Sequence, residues 1–166
     1  LEAISKNQKS LIRDVLQARK DEFVFKAYEH KGSFFKIDSL EAYYKANLAL
    51  LDAKKRDSIF NREAPIYTKV GDNAPVKYGL ESNVKNSLVA DGCMIEGTVE
   101  NCVLFRGVKI GKNAVIRNCV LMQGTEIADG CSIDSIVADK NVTISENRVL
   151  TGSSEYPLYL GKKAKI

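Results

Sequence analysis

Four cysteines, one histidine and a scatter of carboxylates are the groups of this 166-residue chain that could hold a metal, attack a substrate or move a proton. Cys93, Cys102, Cys119 and Cys131 form no Cys-x-x-Cys pair. They read as small buried hydrophobes in a reducing compartment, not as zinc ligands or disulfides. The single histidine, His30, falls in a predicted turn. A general base for acyl transfer and a zinc site for carbonic anhydrase chemistry both draw on histidines within the repeats, so both enzyme readings are disfavoured. Asp134, Asp139 and Glu146 occupy phrases where a short polar side chain serves a chain corner, and they read as solvated. Arg106, Lys109 and Arg117 are candidates of another kind. Cations about one repeat apart would stack on one face and gather an anionic effector such as a sugar phosphate.

The elements that must position these groups show in a repeat. Asn86-Ser-Leu-Val89, Asn101-Cys-Val-Leu104, Asn118-Cys-Val-Leu121 and Asp134-Ser-Ile-Val137 begin 15, 17 and 16 residues apart. A unit this short cannot hold a pair of helices, so it is one turn of a coil of short strands. A six-residue period runs inside it: Val89 leads to Ile95, Ile110 to Ile116 and Ile127 to Ile133. The fourth position of each hexad is Gly92, Asn113 or Gly130, residues that accept positive φ, followed by a small Cys93, Ala114 or Cys131. Leu160 to Ile166 repeats the Ile110 phrase, which predicts a coil reaching the last residues. Stacked turns bury the aliphatic residues in one internal column. Val89, Leu104, Ile110, Ile116, Ile127 and Ile133 are its predicted members. The sequence thus predicts a mainly β fold, a parallel β-helix of hexapeptide repeats over residues 66–166.

Residues 1–65 have a different period. Leu11, Ile12, Val15 and Leu16 predict a helix, and Phe23 to Tyr28 and Phe34 to Ile37 predict two strands joined by a turn. Asp38-Ser-Leu-Glu41 predicts a capping box with Asp38 as N-cap, opening a helix whose apolar face is Leu40, Tyr43, Tyr44, Leu48 and Leu51. A linker through Asn61 to Pro65 follows. This is too little for a complete α/β domain, and it reads as the remnant of a larger one, folded back over the N-terminal end of the coil. The net charge of +4 is thinly spread, with no basic stripe for nucleic acid, and no stretch of these residues resembles a membrane span or a signal peptide. The expected location is the cytoplasm.

The phrases Leu40-Glu-Ala-Tyr-Tyr-Lys-Ala-Asn-Leu-Ala-Leu50, Pro65-Ile-Tyr-Thr68 and Val99-Glu-Asn-Cys-Val-Leu-Phe-Arg-Gly-Val-Lys-Ile-Gly111 resemble the C-terminal part of bacterial glucose-1-phosphate adenylyltransferase. That family joins ATP and glucose 1-phosphate to make ADP-glucose and pyrophosphate for glycogen synthesis. The resemblance implies a left-handed β-helix behind a nucleotidyltransferase domain, the helix serving oligomer contacts and allosteric control. Handedness comes from the resemblance alone, since parallel crossovers are otherwise nearly always right-handed. The family's Gly-rich nucleotide loop is absent from this chain.

A second departure concerns the metal. Where catalytic members read Gly-Tyr-Trp-x-Asp-Val-Gly-Thr, this chain reads Gly32-Ser-Phe-Phe-Lys-Ile-Asp-Ser39, so Lys36 replaces the Asp expected to help hold magnesium. An ammonium offers no oxygen ligand and puts positive charge where the ion would sit. The resemblance therefore implies a non-catalytic, regulatory type of subunit with no catalytic residue and no metal of its own, magnesium belonging to a catalytic partner. Two alternatives stay open: an interaction module without an effector, and a fragment of a catalytic subunit. Phe105, Tyr156, Leu158 and Tyr159 are the candidate contact residues, for a catalytic subunit or for a second copy.

Overall fold

The computed structural model describes residues 10–60, 63, 65–68 and 71–166. Of the predicted linker, Asn61, Arg62 and Ala64 lie outside the described residues. The chain divides into two compact units, Leu1–Gly32 and Ser33–Ile166.

The first strand of the coil begins at Lys77, later than the predicted start at residue 66. Three parallel sheets of five strands each form the three walls of a prism. The first holds Lys77–Tyr78, Met94–Ile95, Lys109–Ile110, Glu126–Ile127 and Thr143–Ile144. The second holds Asn83–Lys85, Thr98–Glu100, Val115–Arg117, Ser132–Asp134 and Val149–Thr151. The third holds Leu88–Val89, Val103–Leu104, Val120–Leu121, Ile136–Ala138 and Leu158–Leu160. Each strand pairs with the strand one turn before and one turn after it, so the molecule is a parallel β-helix as the repeat predicts.

Register places like side chains above like. Ile95, Ile110, Ile127 and Ile144 stack inward from the first sheet, Val99, Ile116, Ile133 and Leu150 from the second, and Leu104, Leu121, Ala138 and Leu160 from the third. All six predicted column residues belong to this core, Val89 being only partly buried because it lies in the outermost strand of its sheet. Each fully buried aliphatic side chain contributes about 1.5–3 kcal/mol.

In the first sheet, partners across successive turns are 17 residues apart except between Met94–Ile95 and Lys109–Ile110, where the step is 15. The missing two come from the corner between the first and second sheets, which is only Glu96-Gly97 there and Gly111-Lys112-Asn113-Ala114 one turn later. A Cβ on Gly97 would collide with the carbonyls of Ala114 and Gly111, so only glycine closes the short corner.

The fourth copy of the repeat sits one residue later than its letters suggest. Val137 pairs with Val120, and Ser135 takes the positive φ held by Asn86, Asn101 and Asn118, so Ser135 and not Asp134 is the equivalent of Asn118. Asp134 instead pairs with Arg117 in the strand before the corner. The last turn also reads as predicted: Lys163 has φ +62°, and Thr143 is bridged in parallel to Lys165.

Among its described residues the first unit has one helix, α1 (Leu11–Gln17), wound wider than an α-helix and capped by the Ser10 side chain, which accepts from Arg13 N. The two predicted strands are absent: Phe23–Tyr28 and Phe34–Ile37 have irregular backbone, mostly exposed. A strand is held by its ladder partner, and neither segment has one among the described residues.

In the second unit, α2 (Leu40–Ala49) starts at Ser39, whose hydroxyl accepts from Ala42 N at 3.0 Å. Asp38, the predicted N-cap, is one residue too early and pairs with Lys36 instead. The short α3 (Ala53–Ile59) follows, capped by Asp52. Helix α2 does not cover the N-terminal end of the coil. It lies on the outer face of the third sheet, where Tyr44 packs with Val120 and Val137, and Tyr43, Leu48 and Met122 surround them.

Candidate functional site

Outward positions on the three walls differ in chemistry, and the difference decides what each can do. The second sheet presents Lys85, Glu100, Arg117 and Asp134 in register, with Arg117 Nε 3.6 Å from a Glu100 carboxylate oxygen. The first presents Lys109 above Glu126, joined at 2.7 Å. The third presents Val103, Val120 and Val137, a continuous apolar stripe.

The three cations expected to gather an anion are therefore dispersed. Lys109 is on the first sheet, Arg117 on the second, and Arg106 at the corner between the third and first sheets, where its Nε donates to Asp91 Oδ1 at 3.0 Å. Each has a carboxylate from the neighbouring turn, so they do not form one anion site. The missed signal was in the sequence: these opposite charges are spaced at the coil's own repeat, 15 residues for Asp91 and Arg106 and 17 for the other two pairs.

Asp91 is the centre of a fuller contact. Its other oxygen accepts from Asn73 Nδ2 at 2.7 Å, and the Gly92 N–H donates to the carbonyl of Ala74. The Asn73 amide, with Arg106 beside it, holds the Asp91 carboxyl below the ordinary carboxylate range. The stretch leading into the first strand is thereby fastened to this corner.

The corner between the second and third sheets carries a ladder. Asn86 Nδ2 donates to Asn101 Oδ1 at 2.7 Å, Asn101 to Asn118 at 3.4 Å, and Asn118 to Asp134 at 3.0 Å, where the Ser135 hydroxyl also donates. Tyr44 reaches this ladder from α2, its hydroxyl donating to the backbone carbonyl of Asn118 at 2.7 Å while its ring is 2 % exposed. Burial pushes the Tyr44 phenol up from its ordinary value.

The four cysteines are all buried with free thiols. Cys102 and Cys119 follow the ladder asparagines on successive turns, and the Cys119 N–H donates to Cys102 Sγ. Burial drives the Cys119 thiol well above its ordinary value, which keeps it protonated. Asp139 accepts from the Tyr159 hydroxyl and from Lys140 N, so it is a corner acceptor.

The contact candidates separate into two groups. Phe105 follows the second strand of the third sheet, whereas Leu158 and Tyr159 lie in its fifth and Tyr156 in the loop before it. Helix α2 covers the third and fourth strands between them. All four are exposed.

The resemblance puts the expected magnesium ligand in the segment Ser33–Ser39. Such an ion takes several oxygen ligands. The segment has one carboxylate, Asp38, and the Lys36 ammonium stands 2.7 Å from its Oδ2. These residues do not fit the ion.

Comparison with known proteins follows the same division of the chain. Residues 74–155, within the coil, match the family described as GlmU-like, C-terminal hexapeptide. The chain is 44% identical over 151 residues to the Glycogen biosynthesis protein GlgD of Bacillus subtilis (strain 168), covering 91% of this chain and 44% of that protein. It is 58% identical over 71 residues to the protein of the same name in Geobacillus stearothermophilus, covering 43% of this chain and 21% of that protein. Glucose-1-phosphate adenylyltransferase of Geobacillus stearothermophilus is 39% identical over 110 residues, covering 66% of this chain and 27% of the enzyme. The chain thus spans less than half the length of these relatives.

Proposed function

We propose that this chain is the regulatory and oligomerisation portion of a glycogen-biosynthesis protein related to glucose-1-phosphate adenylyltransferase, without catalytic activity of its own. The observation that carries this reading is the reach of one similarity. It runs along 91% of the chain, through α2 as well as the coil, to a relative named for glycogen biosynthesis, against 66% for the adenylyltransferase. The Lys36–Asp38 pair supports it, because the segment has no free carboxylate for magnesium. The partner is a catalytic adenylyltransferase subunit, which keeps the metal, or a second copy of the chain. Phe105 and the Tyr156–Tyr159 group are the proposed contacts. The place of action is the cytoplasm, whose reducing conditions suit four buried free thiols. The ion pairs at Arg106, Lys109 and Arg117 argue for contact, not effector binding, as the route of regulation.

The test is an assay of ADP-glucose formation from ATP and glucose 1-phosphate. The chain alone is expected to stay at the no-protein level. Mixed with the catalytic adenylyltransferase of the same cells, it is expected to co-elute with it and change its rate. Activity of the chain alone, or a partner unchanged in both size and rate, overturns the reading.

A further inference from the structure

The two residues that the Gly97 corner lacks leave a gap in the edge between the first and second sheets. The turn before keeps four residues there, Gly79-Leu80-Glu81-Ser82, and the turn after keeps four, Gly111 to Ala114, so the short corner is sunk between two full ones. The result is a notch of about 560 Å3, lined by Lys77, Tyr78, Leu80, Glu81, Glu96 and Lys112. That volume falls within the roughly 300–1,000 Å3 usual for sites that hold a small molecule. The charged groups of the notch differ from those elsewhere on the coil. Arg106, Lys109 and Arg117 each meet a carboxylate one turn away, whereas the side chains of Lys77, Glu81, Glu96 and Lys112 make no hydrogen bond or ion pair among the described residues. Leu80 is fully exposed and Tyr78 about half exposed, so the notch has an apolar edge as well.

Two ammoniums and two carboxylates leave the notch with no net charge. A phosphate drawn to the lysines would meet both glutamates, and a metal ion drawn to the glutamates would meet both lysines. A neutral ligand rich in hydroxyls uses all four, because a hydroxyl donates to a carboxylate and accepts from an ammonium. Such a ligand also needs an apolar face for Tyr78 and Leu80. A sugar ring has both parts, hydroxyls around its edge and C–H groups on its faces. We propose that the notch binds a neutral hexose ring, with Glu81 and Glu96 accepting from its hydroxyls, Lys77 and Lys112 donating to them, and Tyr78 and Leu80 against its C–H face. The ring is a free sugar or one unit of a glucan chain. The choice of glucan as a source rests on the glycogen-biosynthesis reading above; the sugar chemistry of the notch does not. None of these six residues is a proposed contact with a partner subunit, so a bound sugar leaves those contacts free.

Ligand-observed NMR titrations of the full chain with glucose and with maltoheptaose test the notch. Saturable binding of at least one is expected, and binding of neither overturns the proposal. Glu96→Gln keeps the side-chain shape and removes the charge, and it is expected to raise Kd about tenfold. Leu80→Ser, at a fully exposed position that the fold does not depend on, is expected to raise it about fivefold. Glu126→Gln, whose carboxylate pairs with Lys109 outside the notch, is expected to leave it unchanged. A Kd within about twofold of the parent in both Glu96→Gln and Leu80→Ser overturns the site, and so does an equal loss in Glu126→Gln. Inorganic phosphate that displaces the sugar at equal concentration overturns the neutral ligand. Tighter binding of maltoheptaose supports a glucan unit, and equal affinities support the free sugar. The ADP-glucose assay decides the regulatory reading separately. A chain that binds sugar but leaves the enzyme unchanged keeps the notch and loses that reading, and the reverse result keeps the reading and loses the notch.

Discussion

At the scale of the residue, the coil depends on single positions that must turn the backbone into the left-handed region. Gly92, Gly107, Gly124 and Gly130 do so without strain, and seven of the other eight positive-φ sites among the described residues are Asn or Ser. Their short polar side chains tolerate the conformation and, along one corner, bond to the next turn. Lys163 is the exception, at φ +62°. Gly130 has both constraints, φ +68° and a neighbour, the Asn147 amide, where a Cβ would project. Gly130→Val is expected to lower the unfolding free energy by about 2–3 kcal/mol, since a β-branched residue in that region is strained even where space is free. A denaturation midpoint equal to that of the parent would show that the corner rearranges at no cost.

At the scale of the element, α2 shows how a helix chooses its seat. Its apolar residues were legible from spacing, and Tyr43, Tyr44 and Leu48 do form the packed face. What they pack on was not, because Val120 and Val137 look like their inward neighbours Leu121 and Ala138 until register separates the two faces of the strand. The buried Tyr44 phenol makes the seat sensitive to alkali. Its pKa is raised above the ordinary value of 10.0 by burial, so the folded state disfavours the phenolate. The contribution to stability is complete below the unfolded value and is lost as pH rises through the folded one. Denaturation midpoints compared on both sides of pH 10 are expected to fall further in the parent than in Tyr44→Phe. Parallel pH profiles would mean the phenol ionises without leaving its site.

At the scale of the whole molecule, three walls of one coil have three uses. The second is polar and the first carries a cross-turn ion pair, which between exposed groups contributes little. The third is apolar and partly occupied by the chain itself. Helix α2 divides what remains of it, so the proposed contacts fall into two groups, Phe105 on one side and Tyr156, Leu158 and Tyr159 on the other. Light scattering at rising concentration is expected to show self-association, weakened by Phe105→Ser and by Tyr156→Ser, with the two effects adding because the sites share no neighbour. A strict monomer at every concentration would remove self-association, and a double variant no weaker than a single one would join the sites into one patch.

The sequence by itself determined the coil. A parallel ladder one residue deep per turn makes every turn meet the same environment, so the fold's repeat is written in the letters: the aliphatic hexads, the Asn and Gly corners and the buried small cysteines could all be placed without coordinates. It also placed the helical face of α2. The tertiary structure alone decided which outward residues meet across turns. One residue of slip moved the fourth repeat from Asp134 to Ser135, and a two-residue shortening at Gly97 set the 15-residue step that brings Asp91 to Arg106. Charge lists in one dimension cannot show that a cation's nearest partner lies a full turn away, which is why Arg106, Lys109 and Arg117 read as an anion site and stand as ion pairs. Phe23 to Tyr28 and Phe34 to Ile37 misled for the opposite reason: their composition favours strands, but a strand exists only where another chain segment completes its hydrogen bonds.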